Sequence, residues 1–258
     1  MNIKRSTWDK YITTLNRLDQ TAAKDVEHYM TFISNKVMSG ALTEGEGIEL
    51  LIKHCYAVAT KYGEGSAAAA CEMYDAVAAL SGKKIRPAVP ARTASYGDVA
   101  KAVQGTKNMN PSVTADAVSR LVKRAGADTT LKNAIRDGAE WAWIPGGDSC
   151  AFCLTLASNG WQRASKAVMS GDHADHIHAH CMCTFAIRFS SDMDVEGYRP
   201  EKLREQYYDA EGTSPQDKIN AMRREAYQEN KDQINEQKRE AYAQRKEREE
   251  QSQTEPAQ

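Results

Sequence analysis

A chain of 258 residues is long enough for one large domain or two small ones. Apolar residues make up 41% and charged residues 27% of it, and the mean hydropathy of -0.64 indicates a hydrophobic core that does not extend through the whole chain. No stretch approaches the roughly 18 apolar residues of a membrane span, and the charged N-terminus lacks a hydrophobic signal region. The composition therefore argues against a membrane protein and predicts a soluble intracellular product.

Residues 1–82 are predicted to form a helical unit. Its first helix starts at a sequence that resembles a capping box, with Asp9 where Glu is usual, and ends at Gly40. A second capping box, from Thr43 to Glu46, predicts the next start. That helix is expected to break at two glycines, after which a short Ala-rich helix opens at a serine: Gly63, Gly65 and Ser66.

Residues 83–95, which include two prolines, are predicted to be a linker. Helical periodicity resumes at Val113, ends near Gly126 and continues from Thr129 to about Ala142. The linker and the new periodic segment predict a second domain over the residues that follow.

Two extended segments flank a stretch that is rich in cysteine and histidine. Trp143 and Ile144 precede a Pro-Gly-Gly turn, which predicts a short extended piece. Apolar and less apolar side chains then alternate in the manner of a strand at Phe185, Ile187 and Phe189. The Cys/His stretch is thus expected to lie between two extended segments, as a metal knuckle does.

The C-terminal region repeats itself, because residues 219–227 return in similar form 15 positions later at 234–242. Between 216 and 250, 18 of 35 residues are charged, nine of each sign, which predicts a solvated helix with a thin apolar stripe that could form a coiled coil. The residues from Gln251 onward are expected to be disordered.

These observations predict a mainly α fold. It comprises an N-terminal helical region over 1–82, a linker over 83–95, a small α+β domain with a Cys/His zinc knuckle over 96–195, and a charged repeat helix with a disordered tail over 196–258.

The net charge of -1 hides one strongly basic segment. Residues 83–136 carry 11 basic and 3 acidic side chains, a balance of +8. Such a segment can hold a phosphate backbone electrostatically, and we take Lys83, Lys84 and Arg86 as candidate nucleic-acid contacts. The alternative is a solvated face that acidic neighbours balance in the fold, and the sequence favours neither.

The six cysteines fall into two groups. Cys55 and Cys71 stand alone within helical patterns, as buried small apolar residues do. The other four lie within 34 positions that also hold four of the six histidines. Because no export signal precedes them, this cluster favours metal binding over disulfide formation.

The spacing of the cluster suits zinc. It reads Cys150-x2-Cys153, then 24 residues, then His178-x2-Cys181-x-Cys183. Two such pairs supply the four soft ligands of tetrahedral zinc, so we predict a zinc ion on Cys150, Cys153, His178 and Cys181. Cys183 is a rival for the place of His178 or Cys181, and three further imidazoles could substitute: His173, His176 and His180. A reduced thiol cluster in the core, or an adventitious site, remains the alternative.

A catalytic metal is not expected. The chain has no HExxH, and no HxE precedes its CxxC as a deaminase would require. A site with four protein ligands is closed and does not activate water. We therefore predict a structural zinc, no catalytic residues and no enzyme.

Residues 150–158 and 178–183 resemble the CxFCxxLAS and HxxCxC signatures of phage minor capsid proteins, in the broad Mu F-like head-morphogenesis group. The resemblance covers roughly residues 95–190. It implies a low-copy head component near the portal that acts in head assembly, DNA packaging or delivery, with portal and major capsid proteins as partners. Ala179 and Met182 depart from the usual HPxCRC form of the second signature, so no role of an arginine is carried over.

The resemblance further implies a location in the virion, and in the host cytoplasm during assembly. Contact with phage DNA would use residues 83–136, and no membrane is implied. A protein of another class remains an alternative, namely a zinc-stabilised nucleic-acid-binding regulator that uses the same basic segment.

Overall fold

The computed structural model describes residues 2–106, 110–146, 149–166 and 183–225, with scattered positions from there to 239. The chain divides into two compact units, Met1–Leu203 and Arg204–Gln258. Within the described part, the fold is mainly α-helical with a few short strands, as predicted.

Two long helices begin the first unit. Helix α1 spans Arg5–Met38 and α2 spans Glu44–Leu80. The capping box at the start of α2 is confirmed, because the Thr43 hydroxyl accepts the Glu46 N–H at 3.3 Å while the Glu46 carboxylate accepts the Thr43 N–H at 2.9 Å. The capping box predicted from Ser6 to Asp9 is wrong, since the N-cap of α1 is Lys4, two residues earlier, and it makes no side-chain cap bond.

The predicted breaks at Gly63, Gly65 and Gly126 are wrong. Helix α2 continues through the first two, and α4, which spans Pro111–Asp137, continues through the third. A Cβ on Gly126 would lie 2.6 Å from the Ser66 hydroxyl oxygen and 3.1 Å from the Ser66 carbonyl oxygen. Gly126 therefore marks where α4 crosses α2 at close range, rather than where a helix ends.

Helix α3 spans Tyr96–Gln104, and α4 ends earlier than its periodicity predicts. Ser95 and Asp98 form a capping box at the start of α3 that the sequence analysis missed. Gly138 closes α4 with a left-handed φ of 66°, so the helix stops at Asp137 and does not reach Ala142.

The predicted linker is a strap (residues 83–95) fastened to α4. The Val89 N–H donates to the Asn133 side-chain oxygen at 3.0 Å, and the Asn133 amide donates back to the Val89 carbonyl at 2.9 Å. The Ala91 N–H donates to the Thr129 hydroxyl oxygen at 2.9 Å. The strap thus has no helix or strand, yet side chains of α4 satisfy its backbone.

A small antiparallel sheet lies at one end of the first unit. Strand β2 (Glu140–Ile144) is central, between β3 (Gln162–Arg163) and β4 (Thr184–Arg188). Helix α5, Ala151–Ala157, follows β2. The strand predicted from the alternation around Phe185 is confirmed. Strand β1 (Asn2–Ile3) pairs in parallel with β5 (Asp194–Val195) in a separate two-stranded sheet.

The core does not follow the predicted division between residues 1–82 and 96–195. One buried cluster combines Trp8 of α1, Tyr74 of α2, Leu131 of α4 and Trp141 of β2. A second cluster is built from the four helices α1–α4 alone. Residues on both sides of the strap therefore share the same core, because α4 packs against α1 and α2 along much of its length.

The second unit contains helical turns. A helix over Pro200–Asp209 runs into it, and another covers residues 215–225, with Asp217 capping the Ser214 N–H at 3.1 Å. The Lys218 ammonium donates to the carbonyls of Tyr208 and Ala210, both at 2.9 Å. Most of the second copy of the repeat lies outside the described residues, so the coiled coil stays a prediction.

Candidate metal centre

Strand register brings two of the cysteine-bearing segments together. Ile144, the last residue of β2, lies opposite Thr184, the first residue of β4. Cys183 directly precedes β4, and the chain that leaves β2 leads to Cys150 at the N-cap of α5. Because β2 and β4 are antiparallel, the end of one and the start of the other meet at the same edge of the sheet.

The thiols of Cys153 and Cys183 face each other at this edge. Their sulfur atoms are 3.2 Å apart, and Cys153 is fully buried while Cys183 is 7% exposed. Tetrahedral zinc with Zn–S bonds of about 2.3 Å holds its sulfurs about 3.8 Å apart, whereas a disulfide requires about 2.05 Å. No disulfide bond joins Cys153 and Cys183 in the structure, and a movement of about 0.6 Å would suit the pair to zinc.

Of the remaining predicted ligands only Cys150 is among the described residues, and it does not join this pair. Cys150 is half-buried at the N-cap of α5, and within the described part of the chain no group of three or more His, Cys, Asp or Glu converges on one point. His178 and Cys181 lie outside the described residues, as do the substitute imidazoles. The structure therefore places Cys153 beside Cys183, the residue that the spacing ranked only as an alternative to His178 or Cys181.

The surroundings of the thiol pair are largely apolar. The Trp143 and Phe185 rings pack edge to face with centroids 4.4 Å apart, and a cavity of about 20 Å³ beside Cys183 has room for one water molecule. The Ser149 hydroxyl, next to Cys150 in the chain, is buried and has no hydrogen-bond partner among the described residues. A soft cation bound here would be shielded from competing water.

The fold uses part of the basic segment internally. Lys123 forms an ion pair with Asp19 at 3.1 Å, and both side chains are less than 10% exposed. Arg136 binds Asp137 at 2.7 Å and also donates to the Arg86 and Pro87 carbonyls of the strap. The segment's charge of +8 thus overstates what is available to a ligand.

The predicted nucleic-acid contacts lie at the beginning of the strap. Lys83, Lys84 and Arg86 are exposed, and the Lys83 ammonium lies 5.3 Å over the Phe189 ring. Their contact with nucleic acid stays a prediction. Sequence reasoning did not single out Arg120 and Arg124, although a four-residue spacing places them on one face of α4.

The fold defines a class, a mainly α-helical protein with a small antiparallel sheet at one end and two closely spaced cysteines, not joined by a disulfide, at the edge of that sheet. A family model described as VG15 protein matches residues 2–210, so the chain belongs to the VG15 protein family. This membership is consistent with a phage-encoded protein, while the narrower Mu F-like assignment stays a prediction. No curated protein and no solved structure matches the chain. Within the described residues, no helix is both long and apolar enough to cross a membrane.

Proposed function

We propose that the protein is a minor head protein of a phage particle, which acts near the portal in head assembly, DNA packaging or delivery and catalyses no reaction. Its partners are portal and major capsid proteins, and its location is the virion, with the host cytoplasm as the site of assembly. The observation that carries the proposal is the family match over residues 2–210. The signature-like sequences at residues 150–158 and 178–183 support it, because they lie within that matched range.

The proposal includes a structural zinc ion. Cys153 and Cys183 would supply two thiolates from the contact that the fold already makes. Cys150, His178 and Cys181 are the candidates for the remaining places, of which Cys150 begins α5 only three residues before Cys153. Bound zinc would supply a cross-link between α5 and β4, since Cys153 belongs to one and Cys183 adjoins the other.

The particle role is tested by mass spectrometry of purified particles. We expect the protein in assembled heads at a few copies per particle. A chain truncated before Pro215 should fold and still be present in the infected cell, which shows whether the tail is needed for incorporation. Absence of the full-length protein from particles, while it is present in the cell, would overturn the proposal and favour the nucleic-acid-binding regulator.

The zinc is tested by elemental analysis of protein kept reduced. We expect about one zinc ion per chain in the wild type and a loss of most of it in Cys153→Ser and in Cys183→Ser. Cys71→Ser is the matched control, because Cys71 is a half-buried free thiol of α2 and should not change the zinc content. Wild-type protein without stoichiometric metal would remove zinc from the proposal and leave the particle role intact.

A further inference from the structure

We infer that a groove between α3 and α4 binds the phosphodiester backbone of nucleic acid, through Lys101, Arg120 and Arg124. The groove has a volume of about 360 Å³ and lies open to solvent. Its floor is formed by small and apolar residues, of which Ala102, Ala117 and Leu121 are examples. This site differs from the contacts predicted at the beginning of the strap.

Charge distinguishes this groove. Among the described residues that line it, the three long polar side chains are all cationic and none is a carboxylate. Lys101 and Arg120 are exposed, and among the described residues neither makes a salt bridge. Arg124 differs, because its Nε atom lies 3.8 Å from the Asp128 carboxylate. Of the three cations of the groove, Lys101 and Arg120 are therefore the two whose charge is most available to a bound anion.

The pKa of Asp98, which caps α3, also indicates a positive electrostatic potential near the groove. Hydrogen bonds from the Ser95 hydroxyl and backbone lower the pKa of this carboxyl, and the nearby charges of Arg124 and Lys101 lower it further. Burial opposes this shift. The two cations thus act on the same region of α3 from both helices.

Helix ends act on the groove in opposite senses. The first turn of α4 contributes Val113 to the lining, and a helix N-terminus favours anions. The C-terminus of α3 brings Gly105 and the negative end of its dipole to the same groove, where Lys101 in the last turn offsets it. Because side chains supply the net charge, the groove suits a polyanion that several cations contact at once, rather than one small anion.

The shape and charge fit a nucleic-acid backbone. An apolar floor with cationic walls can contact sugars below and phosphates at the sides, without reading the base sequence. Binding should therefore be independent of sequence and should weaken steeply with salt, since each neutralised phosphate releases counterions. The inference does not depend on the particle role.

The test is fluorescence anisotropy of the full chain with a 20-base-pair DNA duplex across a salt series. In the Lys101→Glu/Arg120→Glu double variant we expect Kd to rise at least about tenfold at low salt, and the slope of log K against log salt to fall by about 1.8, which is 0.9 for each lost phosphate contact. Lys132→Glu is the matched control. It makes the same charge change on an exposed residue of α4 outside the groove, so Kd should change by less than about twofold.

A second variant guards against misfolding. Lys101→Gln/Arg120→Gln removes the charges without reversing them, and it should weaken binding less than the glutamate pair while leaving circular dichroism and the melting temperature unchanged. Single-stranded DNA and inorganic phosphate are parallel probes. Tight binding of inorganic phosphate alone, no duplex binding at low salt, or equal loss in the Lys132→Glu control would each overturn the inference.

Discussion

The helical part of the first unit, where α1, α2 and α4 meet, differs from its sheet end, formed by β2, β3, β4 and α5. In the helical part the chain supplies partners for deeply buried charges, as it does for Asp19 and Lys123. At the sheet end two buried thiols instead face each other at 3.2 Å. In the first region a buried cation is paired with a carboxylate of the same chain, and the second region is where we expect stability to depend on a bound metal.

The largest effect should come from breaking the buried ion pair in the helical part. Asp19→Asn removes the carboxylate from a buried ion pair, so we expect the free energy of unfolding to fall by about 3–5 kcal/mol. Urea denaturation of the variant and the wild type measures this difference in the free energy of unfolding. Asp9→Asn is the control, because the Arg5–Asp9 pair is exposed and should contribute less than about 1 kcal/mol. Equal effects of the two substitutions would show that the buried ion pair contributes no more to stability than the exposed one.

Metal removal should lower the stability of the first unit, because the predicted ligands lie at its sheet end. If zinc binds only the folded protein, free zinc at one hundred times Kd adds about 2.7 kcal/mol of stability, and a chelator should remove it. Differential scanning calorimetry with and without chelator would show the shift. Cys153→Ser should melt at the lower temperature in both conditions, and Cys71→Ser should respond as the wild type does. If the chelator does not change the melting temperature of the wild type, the stability of the sheet end does not depend on a bound metal.

Alanine substitutions of glycine test the close packing of α2 against α4, with no change of charge. Gly126→Ala puts a methyl group 2.6 Å from the Ser66 hydroxyl oxygen and 3.1 Å from the Ser66 carbonyl oxygen, so the helices must move apart, at a cost of about 1–3 kcal/mol. Gly45→Ala makes the same change in α2, where no atom lies within 4 Å of the new methyl, and should alter stability by less than about 1 kcal/mol. If Gly126→Ala is neutral by denaturation, the crossing is looser than the geometry indicates.

The smallest effect concerns pH at the end of α4. Burial raises the pKa of the Asp137 carboxyl, but hydrogen bonds from Arg136 and Tyr74 outweigh it and hold the pKa below its usual value. A lowered folded-state pKa means that this stabilisation is present above the unfolded pKa of about 3.9 and is lost as pH falls through the folded value. Asp137→Asn should therefore be less stable than the wild type at neutral pH, and the difference should narrow below about pH 4 in acid titrations of unfolding. A constant difference from pH 7 to pH 2 would rule this linkage out.

Two local signals in the sequence predicted local structure correctly. The capping box from Thr43 to Glu46 needs only residues three apart, and the alternation at Phe185 and Ile187 needs only a strand with two faces. The Cys spacing likewise identified Cys153 and Cys183 as members of one cluster. It did not rank them as a pair, because that depends on the register in which β4 pairs with β2.

The sequence by itself therefore determined the helical character of the chain and the position of the strand after the cysteines. Tertiary structure decided the rest. From the sequence alone Gly126 looks like the end of a helix, and only its contact with Ser66 shows that it lies at a helix crossing. Lys123 likewise counts as part of a basic segment, and only the fold shows that it pairs with Asp19. Both depend on contacts between residues that are distant in the chain, and no periodicity along the chain encodes which helix faces which. The groove of Arg120 and Lys101 exists for the same reason, since it forms only where α3 packs beside α4.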